Sequence, residues 1–146
     1  MVLGVEKSRK VSPLGEVPLI SIVDDHALIR ETIRDLVRSL GFSALTFASA
    51  ESFLRSSSIA ETGCLVLDVQ MPKMSGLDLQ DHLSRNGFDI PIIFVTAYPD
   101  DSTKARALSA GAICYIQKPL GLQGVCFSDC LHAAFSRSGR SAPAVM

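Results

Sequence analysis

Two hydrophobic rhythms alternate along this chain. Short apolar runs bounded by turn residues occur at Leu19 to Val23, Ser43 to Phe47, Cys64 to Leu67, Ile92 to Val95 and Ala112 to Ile116. Runs of this length with little polar alternation predict strands, several of them covered on both faces. Between them the period lengthens. Ile29, Ile33, Leu36, Val37 and Leu40 fall on one helical stripe, and Gly41 stands where a C′ glycine ends a helix. Ser49 is placed to cap a brief helix carrying Phe53 and Leu54, which the serines 56–58 loosen at its end. A third helix with Leu79 and Leu83 inward runs from Ser75-Gly76 to Asn86-Gly87. A fourth has Ala105 and Leu108 as its apolar positions and stops before Gly111. Phe127, Leu131, Ala134 and Phe135 mark the last helix.

Strand and helix thus alternate five times. That order predicts an α/β fold: a five-stranded parallel sheet, doubly wound with helices on both faces, a flavodoxin-like (βα)5 three-layer sandwich. One domain is expected over 18–136, with a flexible lead-in at 1–17 and a flexible tail at 137–146. The length of 146 residues suits a single core.

Charge narrows the function classes. Fourteen basic residues stand against fifteen acidic ones, which gives no global electrostatic case for nucleic acid or an anionic membrane surface. No apolar run approaches the roughly 18 residues of a membrane span, and the start lacks a signal-peptide h-region. A cytoplasmic location is the expectation. The four cysteines, Cys64, Cys114, Cys126 and Cys130, contain no Cys-x-x-Cys pair, and with His132 they match no zinc spacing. They read as small hydrophobes rather than as a disulfide or metal set.

The chemistry gathers at the strand ends. Asp24-Asp25 closes the first strand, Asp68 the third, Thr96 the fourth and Lys118 the fifth. Parallel strands put these ends on one edge of the sheet, where open α/β folds bind ligands. Singly, each has a plain reading as a solvated loop, a helix cap or a turn. Jointly they supply three carboxylates, a fixed cation and a hydroxyl. Converging carboxylates repel unless a cation joins them, and a hard oxygen-seeking ion such as Mg²⁺ suits them. These parts handle a phosphoryl group by positioning and charge stabilisation. Asp68, alone on the central strand, is the candidate nucleophile for an aspartyl-phosphate, and the Asp24-Asp25 pair the candidate metal site.

Taken in order, Val23-Asp24-Asp25, Leu67-Asp68-Val69-Gln70-Met71-Pro72, Gly76, Val95-Thr96-Ala97, Gly111-Ala112 and Lys118-Pro119 resemble the receiver domain of two-component response regulators, the chemotaxis-regulator fold. The resemblance runs from about Leu19 to Phe135. It implies that Asp68 is the phosphoacceptor, served by a sensor histidine kinase or a histidine phosphotransfer protein. It implies Mg²⁺ held by Asp25 directly, by Asp24 largely through water, by Asp68 and by the Gln70 backbone carbonyl. Lys118 pairs with Asp68 and then with the phosphoryl oxygens. Thr96 moves toward the phosphoryl group, and Tyr115 repacks inward as the switch aromatic. The implied output is a downstream protein partner on the fourth helix, fifth strand and fifth helix, from a monomer or weak homodimer with no enzymatic turnover beyond autophosphatase activity.

Leu120 and Gly121 depart from the Phe and acidic residue that commonly follow Lys-Pro in the family. Gly121 and Gly124 weaken the start of the last helix by roughly 1 kcal/mol each. Gln70 and Tyr98 stand near the mouth of the pocket, where they bear on water access. No helix-turn-helix follows, so a stand-alone receiver is expected rather than an excised part. Two alternatives stay open. One is a degenerate receiver that docks partners without phosphorylation. The other is an aspartate-nucleophile phosphatase, which places a second Asp two residues after the nucleophile; Gln70 holds that position and cannot transfer a proton.

Overall fold

The computed structural model describes residues 18–118 and 124–137. The lead-in at 1–17, the segment 119–123 with its departures from the family pattern, and the tail beyond Arg137 lie outside the described residues. Five strands, β1 (Leu19–Val23), β2 (Ser43–Phe47), β3 (Cys64–Asp68), β4 (Ile92–Thr96) and β5 (Cys114–Gln117), alternate with α1 (Ala27–Ser39), α2 (Ala50–Arg55), α3 (Gly76–Arg85), α4 (Asp101–Ser109) and α5 (Gly124–Arg137). A 3-10 turn at Ile59–Glu61, which the hydrophobic pattern did not signal, bridges α2 to β3. The sheet is wholly parallel in the order β2-β1-β3-β4-β5. The winding direction therefore reverses between β1 and β3, and a crevice opens there at the carboxyl ends.

Alternation along each strand assigns residues to two cores. Ile20, Ile22, Val66, Ile93 and Val95 point to the layer made by Ile33 and Val37 of α1 and by Phe127, Leu131 and Phe135 of α5. Leu65, Leu67 and Phe94 point the other way, onto Phe53 of α2, Leu79 and Leu83 of α3, and Ala107 of α4. Each Leu, Ile or Phe buried in these layers contributes about 1.5–3 kcal/mol. Ser49 and Ser75 start their helices with reciprocal capping boxes, closed by Ser52 and Asp78. Gly41, Gly87 and Gly111 follow their helices at positive φ.

Two expectations are corrected. Ala105 and Leu108 do not form the inner face of α4: Leu108 is 39% exposed, and Ala107 is the buried residue of that helix. With almost no apolar stripe to orient it, α4 takes its phase from the Asp100 cap, whose carboxylate accepts from the Thr103 amide at 2.9 Å. A bond from Gln80 Nε2 to the Ala107 carbonyl at 3.1 Å fastens the same turn to α3. The cysteines are not all simple hydrophobes either. Cys114 on β5 and Cys130 on α5 form a disulfide with their Cα atoms 6.3 Å apart. Only the return of α5 over the sheet brings these two together, so their spacing in the chain carried no signal. Cys64, buried on β3, keeps its thiol and fits the small-hydrophobe reading.

Gly76 begins α3 against the end of β3. A Cβ at this position would collide with the Asp68 carbonyl oxygen and come within 3.1 Å of the Phe94 ring. Gly76→Ala is expected to lower stability by about 1–3 kcal/mol, as overpacking does, read as a fall in the urea midpoint at unchanged slope. Alkylation under denaturing, non-reducing conditions should label Cys64 and spare Cys114 and Cys130 until a reductant is added. Labelling of all three beforehand would contradict the β5–α5 link.

Candidate functional site

Register places the acids. Val23 of β1 pairs with Leu67 of β3, so the next residues, Asp24 and Asp68, end adjacent strands side by side. Both are buried, at 0% and 3% exposure. Asp68 pairs in turn with Val95, and the following residue of β4 is Thr96. The Lys118 amide donates to the Thr96 carbonyl at 2.8 Å, which carries the lysine one step past β5 to the same edge. There Lys118 Nζ donates to Asp24 Oδ2 at 2.7 Å and lies 3.3 Å from Asp68 Oδ1. The lysine thus favours Asp24 over the Asp68 partner expected from the resemblance, though it reaches both.

Asp24 has further supports. Its Oδ1 accepts from the His26 amide at 2.9 Å, and its carbonyl accepts from the Arg30 guanidinium at 2.9 Å. Asp25 is less provided for: its Oδ1 is buried and accepts no hydrogen bond. An orphaned carboxylate oxygen beside two other acids is a place a cation would fill. Oxygen or nitrogen atoms of Asp24, Asp25, His26 and Asp68 all lie within 4.8 Å of one another, so the donor set can hold a divalent metal ion. His26 was not singled out in the sequence. Its signal was its place directly after the acid pair, at the start of a helix whose side-chain cap it does not supply.

The remaining expected residues lie on β4 and β5 or just beyond β3. The Thr96 hydroxyl is buried and accepts from the Tyr98 amide at 3.1 Å, which leaves its proton available to a ligand. Gln70 is exposed two residues beyond Asp68. Tyr115 pairs with Phe94 across β4 and β5, their ring centroids 6.4 Å apart. Its hydroxyl is buried without a hydrogen-bond partner, and burial pushes its pKa above the ordinary value.

Residues 20–126 match the family model described as the response regulator receiver domain. The chain belongs to the response-regulator receiver family. Among relatives of this receiver, the transcriptional regulatory protein TdiR of Thauera aromatica is 39% identical over 122 residues, covering 84% of this chain and 53% of its own length. The response regulator protein TodT of Pseudomonas putida is 44% identical over 101 residues, covering 69% of this chain and 44% of its own. The receiver therefore spans about half the length of the curated relatives it matches. Among solved structures, the response regulator StyR superposes with a TM-score of 0.73 at 39% identity, covering 85% of this chain and 64% of that one. A receiver protein from Burkholderia phymatum gives 0.70 at 36% identity, covering 87% and 99%. Among the described residues no helix is long and apolar enough to cross a membrane.

Crowding of charge has a measurable consequence in this receiver. Burial is the largest influence on Asp68, and Asp24 reinforces it. Lys118 opposes both by its charge and its hydrogen bond, and Asp25 adds further repulsion. The net result raises the Asp68 pKa from 3.8 to about 6. An unfolded chain releases this proton near 3.8, the native one only at about 6. Across that window the native state binds more protons, so Asp68 makes stability fall as pH rises. Without divalent ions, the stability of wild type relative to Asp68→Asn should decline from pH 4 to pH 6 in denaturant titrations. A difference that stays flat or grows over this interval would contradict the assignment.

Proposed function

We propose that this receiver is a phosphorylation switch. Asp68 accepts a phosphoryl group from a phosphohistidine of a sensor histidine kinase or phosphotransfer protein, and the modified domain acts through a protein-binding surface. One observation carries the reading: the Asp68 carboxylate is buried at the end of β3 beside Lys118 and the other two acids. A buried carboxylate with nearby fixed charge is a competent nucleophile toward phosphorus.

In the proposed step an Asp68 oxygen bonds to phosphorus as the bond from phosphorus to the donor imidazole nitrogen breaks. That nitrogen leaves with the bonding electron pair, and a proton carried on the other ring nitrogen leaves the donor histidine neutral. Asp24, Asp25, Asp68 and the Gln70 carbonyl are the residues proposed to hold Mg²⁺. When bound, the ion would offset the charge of the phosphoryl oxygens. Lys118, already 3.3 Å from Asp68, would turn from the carboxylates to a phosphoryl oxygen. The new group brings about −1.5 to −2 charge and strong acceptors. The available Thr96 proton is a natural donor to them, and a shift of the loop after β4 would open space beside Phe94 for the unpartnered Tyr115 hydroxyl to move. The affected face, α4, β5 and α5, is the proposed site of the downstream protein partner.

With acetyl phosphate and Mg²⁺, the wild-type chain should gain the mass of one phosphoryl group, located to Asp68 by peptide mass spectrometry. Asp68→Asn should remove the label, and Asp25→Asn should abolish the Mg²⁺-dependent labelling while leaving the circular dichroism spectrum intact. Labelling elsewhere, or equal labelling of Asp68→Asn, would refute the assignment. Absence of label under conditions that modify another receiver would favour docking without phosphorylation.

A further inference from the structure

We infer that His26 is an additional metal ligand, through Nδ1, and that it adds more to the site's affinity for first-row transition ions than to its affinity for Mg²⁺; this rests on the reading of the site as a divalent-cation site. His26 Nδ1 lies 3.2 Å from Asp25 Oδ1 and 3.5 Å from Asp24 Oδ1. In an octahedron with bonds of about 2.1 Å, neighbouring donors stand about 3.0 Å apart and opposite ones about 4.2 Å. Both His26 separations thus fall between the two spacings of a coordination sphere. The Asp68 carboxylate joins these atoms within the same 4.8 Å span.

The hydrogen-bond pattern favours a ligand over a structural role. The His26 ring makes no side-chain cap to α1. Its approach to Asp25 Oδ1 at ion-pair distance is not aligned as a hydrogen bond, because that oxygen accepts none. Asp24 divides its oxygens: Oδ2 goes to Lys118, while Oδ1 faces the His26 amide and ring. The His26 lone pair and two carboxylate oxygens accordingly crowd one small volume on the side of Asp24 away from the lysine. A cation between them relieves all three at once. The ring is 69% exposed, so it can close the remaining few tenths of an ångström without repacking a core.

Nitrogen adds unequally to the affinities of different ions. Imidazole suits ions such as Fe²⁺, Ni²⁺ and Zn²⁺ and adds least for Mg²⁺, which is held by carboxylate, carbonyl and water oxygens; Mn²⁺ shares part of that taste for oxygen and is the mildest transition-ion case. Here the fourth donor belongs to a residue that the phosphoryl chemistry does not otherwise use.

The test uses the full chain with Mn²⁺ and Mg²⁺ as probes. Electron spin-echo modulation of the Mn²⁺-loaded protein should show coupling to an imidazole ¹⁴N. The coupling should vanish in His26→Ala and persist in His82→Ala and His132→Ala. By calorimetry His26→Ala should weaken Mn²⁺ binding about tenfold or more and leave Mg²⁺ binding within twofold. The backbone amide that supports Asp24 survives this substitution, so a loss cannot arise from that bond. Mn²⁺ binding that competes with Mg²⁺ yet shows no ¹⁴N coupling would overturn the ligand assignment alone. Equal weakening of both ions would do the same. If wild type binds neither ion, or Asp25→Asn leaves both affinities unchanged, the reading of the acidic site falls as well.

Discussion

Asp24, Asp25 and Asp68 converge on one lysine at the edge of the sheet, and the rest of the structure is arranged around holding that charge. One ammonium group cannot neutralise three carboxylates. Lys118 reaches Asp24 at 2.7 Å and Asp68 at 3.3 Å, while an oxygen of Asp25 stays buried without a hydrogen bond. Burial first, and then the repulsion from Asp24 and Asp25 that Lys118 offsets only in part, raise the pKa of Asp68. A cluster under this tension is able to coordinate a divalent cation, which would relieve repulsion that folding has already imposed.

Rigidity of the central strands makes the arrangement tolerable. β1 and β3 are paired in register, and their apolar residues are buried on both faces. Slippage by one residue would turn whole hydrophobic sets to the wrong layer, so the carboxylates cannot drift apart to lower their repulsion. Gly76 tightens the same corner by allowing α3 to start against the Asp68 carbonyl. The cost of assembling the acids is thus met by two packed cores rather than by the site.

The outer strands are held differently. α4 has Ala107 as its buried residue and is fastened largely by polar bonds, among them Gln80 to Ala107 and the exposed Arg106–Asp81 pair at 3.2 Å. Exposed ion pairs of this kind contribute little stability. Thin packing and solvent-reachable bonds are features of segments that open at low free-energy cost. On the opposite face α5 is anchored by Phe127, Leu131 and Phe135 and tied to β5 through Cys130. β5 therefore lies between a firm layer and a loose one, and Tyr115 sits on the loose side with a hydroxyl that has no hydrogen-bond partner. Displacement of β5 is therefore cheaper toward α4 than toward α5.

Much of this was legible in the order of residues. Strand positions, the fifth excepted because it begins two residues later at Cys114, the two core layers and the arrival of Asp24, Asp25, Asp68, Thr96 and Lys118 at one edge all follow from period and topology, since parallel strands force their ends together. Local rules also sufficed where the deciding contacts are local, as at the Ser49 cap and the Gly41 stop. Other features were decided by neighbours distant in the chain. The phase of α4 came from a cap and a bond to α3 in a helix with too few apolar residues to orient itself. The Cys114–Cys130 link depended on where α5 returns over the sheet. The preference of Lys118 for Asp24, and the placing of His26 Nδ1 beside two acids, are matters of ångströms between side chains. Period and spacing can specify which edge a residue reaches; only packing in three dimensions decides which atom it meets there.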